Sequence, residues 1–238
     1  MQTCEFSIPL TCRYLLAIPE KLPAQPVIML TLHGYGSNPE TMLRLTAPTV
    51  EPDVVVASLQ APNQHYTGEG PTSGIAGYNW GIRHHHPDAV RLHHEMVLMT
   101  LAELQGRFGV GPERCFLMAF SQAAGFNYRF VGTHPAAVAG VIAICGGVPR
   151  DWEEPKYRDF ATPILHIARS EDEFFPLKTA EGFAERLRAH ASDVEFHMLT
   201  GQHRYPSKAR ELVRGWMERV LAGGAACSIV QRSGRLSK

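Results

Sequence analysis

Cys115-Phe116-Leu117-Met118-Ala119-Phe120-Ser121-Gln122-Ala123-Ala124-Gly125 is the stretch on which the fold turns. An apolar run stops at a serine, and small residues follow where a helix should begin. This is the pattern of a nucleophile elbow, a sharp strand-to-helix turn that needs small neighbours on both sides of the serine. The usual form is G-x-S-x-G. Here it reads Ala119-Phe120-Ser121-Gln122-Ala123, with alanine at both glycine positions. Taken alone, Ser121 reads equally well as an N-cap serine without chemistry. The case for catalysis rests on whether a base, an orienting acid and an oxyanion hole occur elsewhere in a compatible order.

Upstream, Val27-Ile28-Met29-Leu30-Thr31-Leu32 is a nearly continuous apolar run, as expected of a strand buried on both faces. His33-Gly34-Tyr35-Gly36-Ser37 follows it directly. The glycines let the backbone turn an N–H inward, and an oxyanion hole needs two such donors aimed at one point. The expected pair is the N–H of Tyr35 and the N–H of Gln122, the residue after the nucleophile. Gly34 and Gly36 could also be ordinary turn glycines.

Downstream, Ser170-Glu171-Asp172-Glu173-Phe174-Phe175-Pro176 lies just past the apolar run ending at Ala168. Its spacing to the Phe-Pro that opens the next helix favours Asp172 as the acid, with Glu171 the fallback. Glu173 reads as a charge favourable to a helix N-terminus. The base comes from Thr200-Gly201-Gln202-His203-Arg204-Tyr205-Pro206, between the last strand and the last helix. The order Ser121, Asp172, His203 is that of the α/β-hydrolase fold, with each residue following a strand. His84, His85 and His86, with His93 and His94, suggest a metal cluster at first sight, but consecutive histidines diverge and carry no ligand spacing. No metal and no cofactor are expected. His166 falls inside a strand and is read as facing the core or a helix.

Strand-like runs alternate with helical patterns along the chain. Strands are expected at 13–18, 27–32, 54–57, 115–120, 138–144, 163–168 and 194–199. Helices are expected at 39–47, 87–108, 122–131, 176–190 and 206–221. Such alternation predicts α/β class, with a mostly parallel central sheet covered by helices on both faces. The expected organisation is a single domain over 1–221, with 222–238 a flexible tail. Residues 60–81 and 146–162 read as long loops at the ligand crevice. No apolar insertion resembles a large lid domain.

The chain has 238 residues, with Lys plus Arg equal to Asp plus Glu, so its net charge predicts no nucleic-acid or anionic-membrane partner. Its five cysteines lack CxxC spacing, and Cys115 and Cys145 in apolar runs suggest buried free thiols. With no signal-like start and no apolar span, the expected location is cytoplasmic.

The sequence resembles the carboxylesterase/phospholipase group of α/β hydrolases that includes acyl-protein thioesterases. The resemblance covers roughly 25–221. It rests on LHGYGSNPE, the FSQAAG elbow, the D-x-x-F-P at Asp172 and the G-x-H-x-x-P at His203. Tyr78-Asn79-Trp80 is similar to the family's aromatic loop, which implies Trp80 at the acyl site. Phe174 and Phe175 are further expected substrate walls, whereas Phe120 is read as core. Ala119, Ala123, Ala124 and Arg169 depart from the glycines common there. The implied activity is a serine carboxylesterase acting on short- to medium-chain carboxylic esters through an acyl-enzyme. A phospholipase, thioesterase or arylesterase of the same mechanism is the alternative, as is a degenerate binding protein. The expected partner is a small-molecule ester, with a homodimer left open.

Overall fold

Strand interiors rich in Val, Ile, Leu and Met place apolar side chains on both faces of a sheet, which then needs helices on each side. The computed structural model describes residues 2, 4, 6–68 and 74–233. In chain order the elements begin with β1 (Tyr14–Ala17), β2 (Ile28–Leu32), α1 (Pro39–Thr46), β3 (Val55–Leu59), β4 (Asn63–Thr67) and β5 (Ile75–Asn79). Next come α2 (His86–Phe108), β6 (Cys115–Phe120), α3 (Gln122–Thr133), β7 (Gly140–Ile144) and β8 (Ile164–Arg169). The chain closes with α4 (Leu177–Ala180), α5 (Phe183–Leu187), β9 (Val194–Leu199) and α6 (Ala209–Ser233).

The main sheet has seven strands in the order β1-β3-β2-β6-β7-β8-β9. All neighbours are parallel except β1, which runs antiparallel to β3 at the edge. Successive side chains of a strand point to opposite faces, and the core divides accordingly. Ile28, Leu30 and Leu32 join Leu117 and Val141 beneath α2 and α3, packed with Trp80, Val97, Leu101 and Phe130. Met29 joins Phe116, Met118 and Ile142 on the other face, closed by Met42 of α1 and by Val213 and Trp216 of α6. The strand order reverses around β2: β3 lies on one side of it and β6 on the other. Loops leaving the carboxyl ends of β2 and β6 therefore diverge and open a crevice. The predicted α/β-hydrolase architecture is the one observed.

Three expectations change. Residues 60–81 are not a plain loop, because β4 and β5 pair antiparallel as a separate two-stranded hairpin. Its strands are largely exposed and rich in Asn, Gln, Thr and Gly, so no apolar period marks them. Residues 69–73 of that stretch lie outside the described residues. The helix expected at 176–190 is broken at Gly182 into α4 and α5. The final helix continues past 221 to Ser233, so most of the expected tail is helical, and 234–238 lie outside the described residues. Among the described residues, no helix is long and apolar enough to cross a membrane.

Candidate active site

Strand β6 ends where the backbone reverses at Ser121, with φ 56° and ψ −117°. A non-glycine residue seldom holds a positive φ, and such strain persists only where neighbours enforce it. Here the Ser121 N–H donates to Ile144 O of β7 at 2.9 Å, and Ala124 N–H bonds back to Ser121 O at 3.1 Å. The small residues expected around the turn are needed. Ala123 and Ala124 are fully buried, and a Cβ on Gly146 would collide with the Ala124 methyl. The extra methyl at position 124 thus occupies space that Gly146 leaves free.

Ser121 Oγ lies 2.8 Å from His203 Nε2, and His203 Nδ1 lies 2.7 Å from Asp172 Oδ2. A carboxylate only accepts, so Nδ1 carries the proton and Nε2 faces the serine as acceptor. The Asp172 side chain is 1% exposed. Its other oxygen, Oδ1, accepts from the N–H groups of Phe174 and Phe175, both at 2.9 Å. Glu171 is exposed and takes no part in this chain of bonds. Of the adjacent acids, only Asp172 reaches His203 Nδ1.

Glu173 does more than charge a helix end. Its Oε2 accepts the His203 backbone N–H at 3.1 Å. The helix that follows starts only at Leu177, too far on for Glu173 to serve its N-terminus. Hydrogen bonds from its own N–H and from that of His203 hold its carboxyl below the usual range. Arg169 Nε–H donates to Gln202 O at 3.3 Å, and its guanidinium lies against Gly201, whose φ is 131°. Cys145 Sγ meets Arg204 O at 3.4 Å, and burial pushes its thiol up to about 12. These contacts fix the His203 loop from several sides. Sequence reasoning missed Glu173 and Cys145 here, because their partners are backbone atoms about 30 and 60 residues away.

The 33–37 segment packs directly on the elbow. A Cβ on Gly34 would come within 3.1 Å of Ser121 Cβ and of the Phe120 ring. Gly36, at φ 72°, donates to Tyr78 O at 2.9 Å, and Tyr78 donates back to Ser37 O at 2.8 Å, which ties the segment to β5. Among the described residues, neither the Tyr35 N–H nor the Gln122 N–H has an acceptor. His33 is fully buried. Its Nδ1–H donates to Gly34 O at 2.8 Å and its Nε2 accepts from Ala61 N–H at 3.1 Å. Burial lowers its pKa to about 4, so it stays neutral and can accept that bond.

The expected substrate walls are only partly in place. Trp80 is 0% exposed, and its Nε1–H donates to His33 O at 2.8 Å. It lies in the core beneath the site, because an indole with its N–H partnered is a favourable core residue. Phe174 is 68% exposed and stands 4.8 Å from the His203 ring, while Phe175 is half-buried at 6.0 Å. Phe120, read as core, is half-buried with its ring 5.1 Å from His203. It is the last residue of β6, paired with Ile144, so its ring sits at the carboxyl end of the sheet beside His203.

The remaining histidines scatter. His84 and His85 are exposed, whereas His93 and His94 are buried among Trp80, Phe126 and Phe130. Among the described residues, no three His, Cys, Asp or Glu side chains are placed to hold a metal ion. His166 is buried in β8 as expected, with Nδ1 2.6 Å from the Tyr128 hydroxyl. Cys115 and Cys145 are buried free thiols, also as expected.

The family model described as phospholipase/carboxylesterase matches residues 14–220. The esterase YpfH of Escherichia coli K12 is 29% identical over 194 residues, which is 78% of each chain. Among solved structures, a carboxylesterase from Mesorhizobium loti superposes with a TM-score of 0.70 at 18% identity, covering 88% of this chain and 95% of that one. The Bacillus cereus carboxylesterase gives 0.67 at 17% identity, over 88% and 94%. At these identities the two structures speak for the fold alone.

Proposed function

The chain belongs to the phospholipase/carboxylesterase family of α/β hydrolases, and from that premise we propose that it is a serine carboxylesterase with Ser121, His203 and Asp172 as its catalytic triad. One observation carries the reading: an unbroken line of short hydrogen bonds from a buried carboxylate through an imidazole to a serine on a positive-φ turn. A serine hydroxyl is a weak nucleophile until a base takes its proton. His203 Nε2 is placed to do so as Ser121 Oγ attacks an ester carbonyl. Asp172 holds the imidazole in the required tautomer and stabilises its charged form. The N–H groups of Tyr35 and Gln122 receive the oxyanion, and the second lies in the favourable field of the α3 N-terminus. His203 then protonates the departing alcohol, and water repeats the sequence on the acyl-enzyme.

Short- to medium-chain esters are the proposed substrates. In support, Phe174 stands exposed beside His203, and Trp80 fills space beneath the site. Phe174 and Phe175 are the proposed apolar contacts. The test is hydrolysis of p-nitrophenyl acetate, butyrate and octanoate by the wild type and by Ser121→Ala. The expected outcome is a loss of at least about a thousandfold in kcat for the variant. Equal, feeble rates for both would remove Ser121 from the mechanism. Fluorophosphonate labelling of the wild type alone would agree with the triad, and a matched thioester and phospholipid would place the enzyme among its relatives' chemistries.

A further inference from the structure

The two proposed oxyanion donors come from segments that are distant in sequence, the loop after β2 and the start of α3. Two N–H groups act on one oxygen only if the distance between them is held, and displacement by about 1 Å can cost about a hundredfold in rate. The β2–β6 ladder ends at Leu32 opposite Ala119 and Gly34 lies against Ser121 Cβ, which brings the two segments side by side but stops short of Tyr35 and Gln122. The side chain of Gln122 does reach across. Its Oε1 accepts the Trp80 backbone N–H at 3.0 Å, and its Nε2 donates to Gly81 O at 2.7 Å. Both ends of the amide are thus engaged by backbone groups of two consecutive residues. Trp80 carries the connection onward, because its indole N–H donates to His33 O at 2.8 Å. His33 is anchored in turn by Ala61 N–H. A closed path therefore runs from Gln122, whose backbone N–H is one donor, through Trp80 and His33 to Tyr35, whose N–H is the other.

We propose that the Gln122 side chain is a positioning residue, which sets the spacing of the two oxyanion donors through the Trp80 peptide and indole. The proposal rests on the serine esterase reading above. It also gives the buried Trp80 a role that does not require contact with substrate. Gly81 fits the same account: it holds φ 151°, and a Cβ there would strike Ala89 Cβ at the start of α2, so the backbone that Gln122 grips is packed closely on that helix. Uniform binding of substrate should not depend on this path, whereas stabilisation of the tetrahedral intermediate should.

The experiment compares wild type, Gln122→Met, Gln122→Glu, Trp80→Phe and the Gln122→Met/Trp80→Phe double variant on p-nitrophenyl butyrate. Methionine keeps the length and removes both bonds. Glutamate keeps the acceptor for Trp80 N–H and loses the donor to Gly81 O. Phenylalanine keeps an aromatic ring and removes the bond to His33 O. The expected result is a kcat about ten- to a hundredfold lower in Gln122→Met with KM within about twofold, and a loss at least as large in Gln122→Glu, whose second oxygen meets Gly81 O acceptor to acceptor and whose charge opposes the oxyanion. Inhibition by phenylboronic acid, which forms a tetrahedral adduct, should weaken in proportion to kcat/KM. The double variant should lose far less than the product of the single losses, because both changes cut one path. An unchanged kcat, a loss confined to KM, or multiplicative losses would overturn the proposal. If Gln122→Met does not fold, Gln122→Glu and Trp80→Phe carry the same comparison. Ser121→Ala separates the two levels: if it stays active, the esterase reading falls and this inference with it, whereas an inactive Ser121→Ala beside a fully active Gln122→Met sinks only the inference.

Discussion

Asp172 presents one carboxylate oxygen to two backbone N–H groups and the other to an imidazole, so each of its oxygens has a fixed task. Asp172→Asn would keep the Phe174 and Phe175 contacts through its amide oxygen but turn an N–H toward His203 Nδ1. The imidazole would then favour the opposite tautomer, with its proton facing Ser121. A loss of about ten-thousandfold in kcat is expected on p-nitrophenyl butyrate, with little change in thermal midpoint. The neighbouring acids should separate cleanly. Glu173→Ala removes the acceptor for the His203 N–H, and kcat should fall about three- to tenfold. Glu171→Ala should match the wild type. Equal effects from both would mean that Glu173 acts only through its charge.

At the scale of elements, the elbow is a fit between α3 and the end of β7. Ala124 sits where a Cβ on Gly146 would point. Gly146→Ala overfills this contact and should destabilise by about 1–3 kcal/mol in urea unfolding. Ala124→Gly in the same chain should restore part of that stability, although a glycine inside a helix itself costs about 1 kcal/mol. Strictly additive losses would show that the two positions do not share the space. The β4–β5 hairpin is joined to the site in a comparable way. A Cβ on Gly77 would lie 2.5 Å from Gly36 O, so Gly77→Ala should push the 34–37 segment off β5. A fall in kcat with wild-type KM is the expected reading. The hairpin was not legible from sequence, since its strands face water on most sides and have no apolar alternation to announce them.

The whole molecule buries several histidines as neutral rings. Burial lowers His33 and His94 to about 4 and His166 to about 3, and lowers His93 as well. The unfolded chain binds protons on these rings from about pH 6.5 downward, while the folded protein resists until the lower values. Stability is then complete above about pH 6.5 and is lost as pH falls toward 4 and 3. By pH 5 each group near 4 should remove on the order of 2 kcal/mol. Urea midpoints between pH 7.5 and 5 should drop steeply, and a flat profile would show that these rings take up protons without unfolding.

Alternating apolar runs and their spacing were enough to place the parallel sheet, because burial on both faces leaves a local signature in each strand. The order of Ser121, Asp172 and His203, each just after such a strand, followed from the same reading and needed no knowledge of the contacts. Local sequence could not choose the acceptor for the His203 N–H among neighbouring acids, nor show that Trp80 lies under the site, that Phe120 leans on His203, or that Gln122 reaches Trp80. Those facts depend on chain segments about 30 to 80 residues apart meeting at one end of the sheet. Hydrophobic periodicity is a property of each segment by itself, whereas a hydrogen bond between distant segments exists only after the sheet has brought both ends together.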